Sequence, residues 1–180
     1  MKSGWFYAAA ILGGLYMMRT AANTSTQEAL TRPNVKAFLA LIRKLESAGQ
    51  YDVIYGGSKF SDFSAHPNIR IPFHNPRRSG EGVNDYSTAA GAYQINYPTW
   101  LTIQAVAFLP DFTPASQDIA AVWLLQSRGV LNDIINGNFT VALRKASPTW
   151  ASLPFSDAGQ NPAAFQTALN IYVNYGGHIA

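Results

Sequence analysis

Acidic side chains are scarce in this chain, ten in 180 residues and only three of them glutamates, so a reaction that needs a carboxyl group has few candidates. Glu46 is the best placed. Val35, Phe38, Leu39, Ile42 and Leu45 recur at helical spacing and mark one apolar face. Glu46 stands eleven residues after Val35, which at about 100° per residue returns it to within about 20° of that face. Ser47, Ala48 and Gly49 then break the pattern. A carboxyl group there points inward at the C-terminal end of a helix, where burial and the negative end of the dipole both disfavour ionisation. An acid kept protonated near neutral pH is what general acid catalysis requires. A glutamate in a last turn can equally fray into solvent, and its position alone does not choose.

The other chemistries are poorly served. There is no cysteine, which removes thiolate chemistry and a disulfide framework and leaves the compartment open. His66 and His74 are eight positions apart with prolines close by, and His178 lies in the C-terminal tail. None of these makes a compact ligand pair on a helix, so no metal and no cofactor is expected. His66-Pro67 reads as a turn. No phosphate-binding glycine loop and no serine nucleophile elbow is present.

The net charge of +3 is too mild to imply a nucleic-acid partner. Its distribution is uneven: residues 32–79 carry a balance of +5 and residues 80–180 a balance of −3. The basic half surrounds Glu46, which would favour an anionic polymer, although each charge alone reads as ordinary solvated surface. Apolar residues make up 48% and charged residues 13%, enough for a well-buried core in a single domain with an appendage.

That appendage is the N-terminus. Residues 4–18 form an uncharged apolar run between Lys2 and Arg19, with Trp5 and Tyr16 near its ends. The run is short of the ~20 residues of a typical spanning helix, but flanking cations can snorkel. Residues 1–22 are therefore read as a membrane or signal anchor; a cleaved signal peptide and a soluble packing helix remain alternatives. The Thr- and Ser-rich residues 23–31 read as a polar linker, and residues 32–180 as the folded domain.

Helical signals dominate this domain. Pro33 and Asn34 open the helix that ends at Glu46. Asn96 and Pro98 precede an apolar stretch to Phe108, and Thr113-Pro114 start a helix stopped by Gly129. Short helices fit 131–135 and 139–145. Asn161-Pro162 open a last helix through Phe165, Leu169 and Tyr172. The exception is residues 51–71, where alternation, the Gly56-Gly57 turn and Lys59-Phe60 predict a small irregular β-hairpin. Residues 79–88 read as a long loop. The expected class is mainly α (α+β): a lysozyme-like layout with one small β element after the first acidic residue, preceded by an N-terminal hydrophobic helix.

Four stretches resemble the family of phage lambda lysozyme, whose members are peptidoglycan lytic transglycosylases. They are Lys36-Ala-Phe-Leu with Glu46 ten residues on; Asp52-Val-Ile-Tyr-Gly-Gly-Ser-Lys-Phe-Ser-Asp-Phe-Ser-Ala-His66-Pro67; Ser87-Thr-Ala-Ala-Gly-Ala-Tyr-Gln94; and Trp150-Ala-Ser-Leu-Pro154 followed by Gly159-Gln160. With Phe112-Thr-Pro-Ala-Ser-Gln-Asp118 they run in family order across residues 32–180. The chain departs in having Ser47 in place of a glycine, a shorter loop before Tyr51, a longer connection at 77–86, and Ala158 where a tyrosine stands. The N-terminal segment is similar instead to the signal anchors of some other phage lysozymes.

The resemblance implies cleavage of the β-1,4 bond between N-acetylmuramic acid and N-acetylglucosamine, with a 1,6-anhydro product. It implies Glu46 as the catalytic acid, and a role for the enzyme in host lysis or in wall penetration by the virion. Tyr93 and Gln94 are the foremost substrate contacts, since a phenol and an amide suit N-acetyl and hydroxyl groups, with Gly91 allowing close backbone approach. Ser47, Trp150 and Gln160 are further candidates; Trp150 reads as well as core. Asp52 and Asp62 are the acids that a hydrolysing muramidase would recruit, Asp62 reading better as a loop acceptor. The expected partners are peptidoglycan glycan strands and, through residues 4–18, the host inner membrane, with a monomeric catalytic domain facing the periplasm or carried on the virion. A hydrolysing muramidase and a non-enzymatic wall-binding or virion structural module are the alternatives.

Overall fold

The computed structural model describes residues 26–74, 84–157 and 161–180. The anchor expected over residues 1–22 lies outside these. Among the described residues no helix is long and apolar enough to cross a membrane. The linker expectation for 23–31 needs correcting where it is described. Residues 26–29 form a helical turn with Thr26 and Ala29 buried, and Leu30 packs against the core.

Helix α1 (Pro33–Ser47) runs through the middle of the domain. Pro33 suits the first turn, where its missing N–H would have no partner. Burial extends beyond the expected stripe to Ala37, Ala40 and Leu41, because α1 packs on several sides at once. It lies against α3 (Pro114–Ser127), α4 (Leu131–Ile135) and α6 (Phe165–Asn174). Phe38 meets the rings of Phe139 and Tyr172 edge-on, at 6.2 and 6.3 Å between centroids, and those two rings stack at 4.5 Å. At its C-terminus Ala48 turns into the left-handed region, and the amides of Ala48 and Gly49 both donate to the Arg43 carbonyl.

Helix α2 (Tyr97–Ala107) buries Trp100, Ile103 and Ala107, and α5 (Phe139–Ala146) completes the helical body. The expected helices over 131–135 and 139–145 are present as α4 and α5. The last helix starts at Phe165, not at Asn161-Pro162. The Ala163 amide is held by the Ser152 carbonyl at 2.9 Å and Ala164 is extended, so a tertiary bond overrides the local start signal.

The β expectation is met in part. Residues 52–60 form a tight reversal in which Ile54 donates to Ser58 O and Phe60 to Asp52 O, but only the single Val53–Lys59 bridge results. The two-stranded antiparallel sheet lies downstream: β1 (Ile71–His74) pairs with β2 (Asn84–Ser87) in the register Ile71–Ser87. Residues 84–87, read as loop, are thus a strand. Asn, Asp and Ser carry little β propensity, and the pairing comes from β1. Pro72 fits because this ladder has only two strands, both edges.

Candidate functional site

Four pieces of chain meet around a cavity of about 570 Å³. They are the end of α1 (Leu45, Glu46, Ser47), the reversal at 53–57, the segment from Ser87 to Asn96, and the turn from Thr149 to Ser152, with Asn161 beside it. The segment at 53–57 is held against 89–91 by Tyr55 N donating to Ala89 O and Gly91 N to Val53 O, each 2.8 Å.

Glu46 is the only carboxyl group in the cavity wall among the described residues. Ser152 donates its hydroxyl to Glu46 Oε1, and its amide lies 3.4 Å from the same oxygen. Burial raises the Glu46 pKa, and the two contacts from Ser152 pull it partly back. The carboxyl sits at the C-terminal end of α1, where the dipole adds to the cost of a negative charge. The group is therefore biased toward its protonated form, oriented through one oxygen, and open to the cavity. Such a carboxyl can give a proton to a bound leaving group and take one back.

The other acids stand apart. Asp52 is paired with Lys59 at 3.0 Å, and Asp62 accepts the Ser64 amide at 2.8 Å on the exposed loop; neither lines the cavity. The hydrogen bonds from Ser64 lower the Asp62 pKa.

Gln94 lines the cavity in the left-handed region, φ 46°, a conformation that costs a non-glycine residue about 1 kcal/mol or more. Its Nε2 donates to Val53 O at 3.1 Å and Gly91 O at 2.9 Å, which holds the turn closed. Ser47 also lines the cavity, but its buried hydroxyl is shared between the Arg43 and Ala92 carbonyls, both at 3.1 Å. Trp150 forms part of the wall while only 3% exposed, and its indole N–H donates to Tyr93 O. It closes the cavity and offers no broad stacking face.

Tyr93 does not line the cavity. It is buried, with its hydroxyl turned to Arg43 and Asp118 on the far side of the turn. Gly91 serves packing: a Cβ there would lie 2.3 Å from Gln117 Oε1 and 3.0 Å from Phe112, not against a ligand. Gln160 and Ala158 lie outside the described residues. His66 is a core residue. Its Nδ1 accepts the Asn68 amide and its Nε2 meets Ile95 O at 2.9 Å, which fixes a neutral tautomer, and Phe112 packs on its ring. Among the described residues no group of three or more His, Cys, Asp or Glu side chains is disposed to hold a metal ion.

Sequence reasoning missed Ser152, Asn96 and Asn161 as cavity residues. Ser152 carried a signal, a hydroxyl inside the Trp150-to-Pro154 motif; Asn161 was absorbed into a helix start.

A family model described as Endolysin matches residues 37–179, nearly the whole described domain. The chain belongs to the endolysin family. It is a phage lysozyme-type enzyme that degrades peptidoglycan. Among the relatives of this endolysin, that of Escherichia phage P2 is 32% identical over 160 residues, covering 82% of this chain and 95% of the relative. The endolysin of Escherichia phage lambda is 38% identical over 110 residues, 61% of this chain and 65% of the relative. The solved structure of bacteriophage lambda lysozyme complexed with a chitohexasaccharide superposes with a TM-score of 0.73 at 32% identity, over 82% of this chain and 97% of that one. A second lambda lysozyme structure gives 0.68 at 30% identity. The fold is therefore the lambda lysozyme fold, as the sequence led one to expect.

Proposed function

We propose that this endolysin is a lytic transglycosylase that cuts the bond between N-acetylmuramic acid and N-acetylglucosamine with Glu46 as its single catalytic carboxyl. The protonated Glu46 gives its proton to the glycosidic oxygen as the bond to the muramyl C1 breaks. The carboxylate left behind takes the proton of the muramyl C6 hydroxyl, whose oxygen closes on C1. Atoms balance without water, and Glu46 ends the cycle protonated.

The observation that supports this reading is that Glu46 is the one carboxyl in the cavity wall among the described residues. A hydrolysing pair needs a second carboxylate some 5–9.5 Å from the first, and Asp52 and Asp62 are both engaged away from the cavity. Gln94, Asn96 and Asn161 supply amides in the wall that suit N-acetyl and hydroxyl groups, and that the related lambda lysozyme was solved with a chitohexasaccharide agrees with a glycan in this cleft. Gln94, Ser47 and Gln160 are retained as substrate-side residues. Trp150 is a closing part of the wall, and Tyr93 supports it from behind.

Release of soluble muropeptides from purified peptidoglycan tests the role of Glu46. The expected outcome is release by the wild type, and no release by Glu46→Gln although that variant still sediments with the wall. Undiminished release by Glu46→Gln would remove Glu46 as the acid; binding without release by either protein would mark a wall-binding module. Residues 4–18 are proposed to insert in the host inner membrane and hold the folded domain in the periplasm. Support for this lies in the sequence, an apolar run between Lys2 and Arg19. A full-length chain that stays in the soluble fraction of lysed cells would refute it.

A further inference from the structure

Helix α3 contributes no residue to the cavity wall, yet two of its neighbouring side chains reach the chain at or beside three of the four segments that build it. Gln117, 1% exposed, accepts the Ala92 amide at 2.8 Å and donates to the carbonyls of Tyr51 and Phe112 at 3.2 and 2.8 Å. Asp118 collects side chains. Its Oδ1 accepts the Tyr51 hydroxyl at 2.8 Å and the Tyr93 hydroxyl, and Arg43 Nη1 stands 3.5 Å away. Arg43 also donates to Tyr93 Oη at 3.0 Å and lies over the Tyr51 ring.

Each of the three residues that converge on Asp118 sits just before a piece of the cavity wall. Arg43 is one turn ahead of Glu46, and its carbonyl receives the closing bonds of α1. Tyr51 leads into residues 53–57. Tyr93 precedes Gln94, whose strained turn closes on Val53. We propose that Asp118 is a positioning residue for the reaction, one carboxylate oxygen that holds the α1 terminus, the 53–57 reversal and the Gln94 turn in mutual register. This rests on the reading of the cavity as the glycan-cleaving site.

The chemistry suits a fixed tie. Burial and the facing Asp118 charge push the Tyr51 hydroxyl up to about 12 and that of Tyr93 well above its ordinary value, so both phenols remain donors throughout the working range. Bonds from phenol to carboxylate are of the charge-assisted kind, shorter and stronger than neutral ones. The partners lie 25 to 75 residues from Asp118 along the chain, so no local turn replaces the tie. A wall residue displaced by about 1 Å can cost a reaction up to about a hundredfold.

The test compares Tyr93→Phe, Tyr51→Phe and Asp118→Asn with the wild type in peptidoglycan turnover, chitohexasaccharide affinity and thermal midpoint. Phe139→Leu, in the helical core away from the cavity, is the control for lost stability alone. The proposal expects folded Tyr93→Phe to lose about tenfold in kcat/KM, mostly in KM. It also expects a matching loss of chitohexasaccharide affinity and an unmoved alkaline limb of the pH profile, since the network does not touch Glu46. Phe139→Leu should melt lower with kcat/KM unchanged. If Asp118→Asn fails to fold, the two phenylalanine variants decide. Phenylalanine variants within twofold of wild type in kcat/KM and affinity would overturn the proposal, as would a loss that Phe139→Leu reproduces at equal destabilisation. A wild type that binds the oligosaccharide but releases nothing would instead refute the catalytic reading, and the affinities would still judge Asp118.

Discussion

Replacing Ser152 by alanine removes one hydrogen bond from the carboxyl oxygen that orients Glu46. A hydrogen bond to a charged group contributes about 1.5–3 kcal/mol. The Ser152 amide remains near the same oxygen, and the cavity admits water to the vacated place, so the lower end applies. About 1.4 kcal/mol corresponds to one pH unit. The bond favours the ionised form, so its loss raises the Glu46 pKa beyond the rise that burial already causes. A general acid works only while protonated, so the alkaline limb of kcat/KM against pH should move up by about one unit. The plateau should fall severalfold, because the carboxyl is no longer held through one oxygen. The assay is peptidoglycan turnover between pH 4 and 10 with wild type and Ser152→Ala. A limb that stays in place, or moves to lower pH, would refute the reasoning.

Three further outcomes follow from the same geometry. Glu46 has its folded pKa raised, so its contribution to stability is complete below the unfolded value and is lost as pH rises through the folded one. Glu46→Gln, which keeps an acceptor for Ser152, should therefore melt above wild type at pH 7.5 with the difference vanishing near pH 4; a lower melting temperature at pH 7.5 would contradict this. Burial lowers the His66 pKa, so its contribution is complete above the unfolded value and is lost as pH falls through the folded one. His66→Gln should then be less stable at pH 7 but lose less between pH 7 and 5, as followed by thermal melts. Gly91→Ala places a Cβ 2.3 Å from Gln117 Oε1 at φ +77°. That should cost about 2–4 kcal/mol from strain and overpacking, read as a drop in denaturation midpoint, and an unchanged midpoint would sink it.

What the sequence made legible was mostly local. The α1 stripe from Val35 to Leu45 repeats within a few turns, so the helix follows from spacing, whereas the choice between a fraying and an inward Glu46 rests on the distant Ser152. The glycines at 56 and 57 announced the reversal beside the cavity. The misses are long-range. Ser152 meets Glu46 across 106 residues, and no periodicity links them. The phenol of Tyr93 suits a sugar contact by its chemistry, yet the left-handed turn at Gln94 sends it away from the cavity, to Asp118. The strand at 84–87 takes its conformation from β1 rather than from its own residue types. Asn161-Pro162 has the form of a helix start, but Ser152 claims the Ala163 amide and leaves Asn161 at the cavity.

Mass spectrometry of the sugars released from purified peptidoglycan, with Glu46→Gln as the paired control, tests the single-carboxyl mechanism most directly. The account predicts muropeptides one water lighter than hydrolytic products, ending in 1,6-anhydromuramic acid, and none from the variant. Fully hydrated, reducing products from the wild type would contradict it and require a second group to activate water.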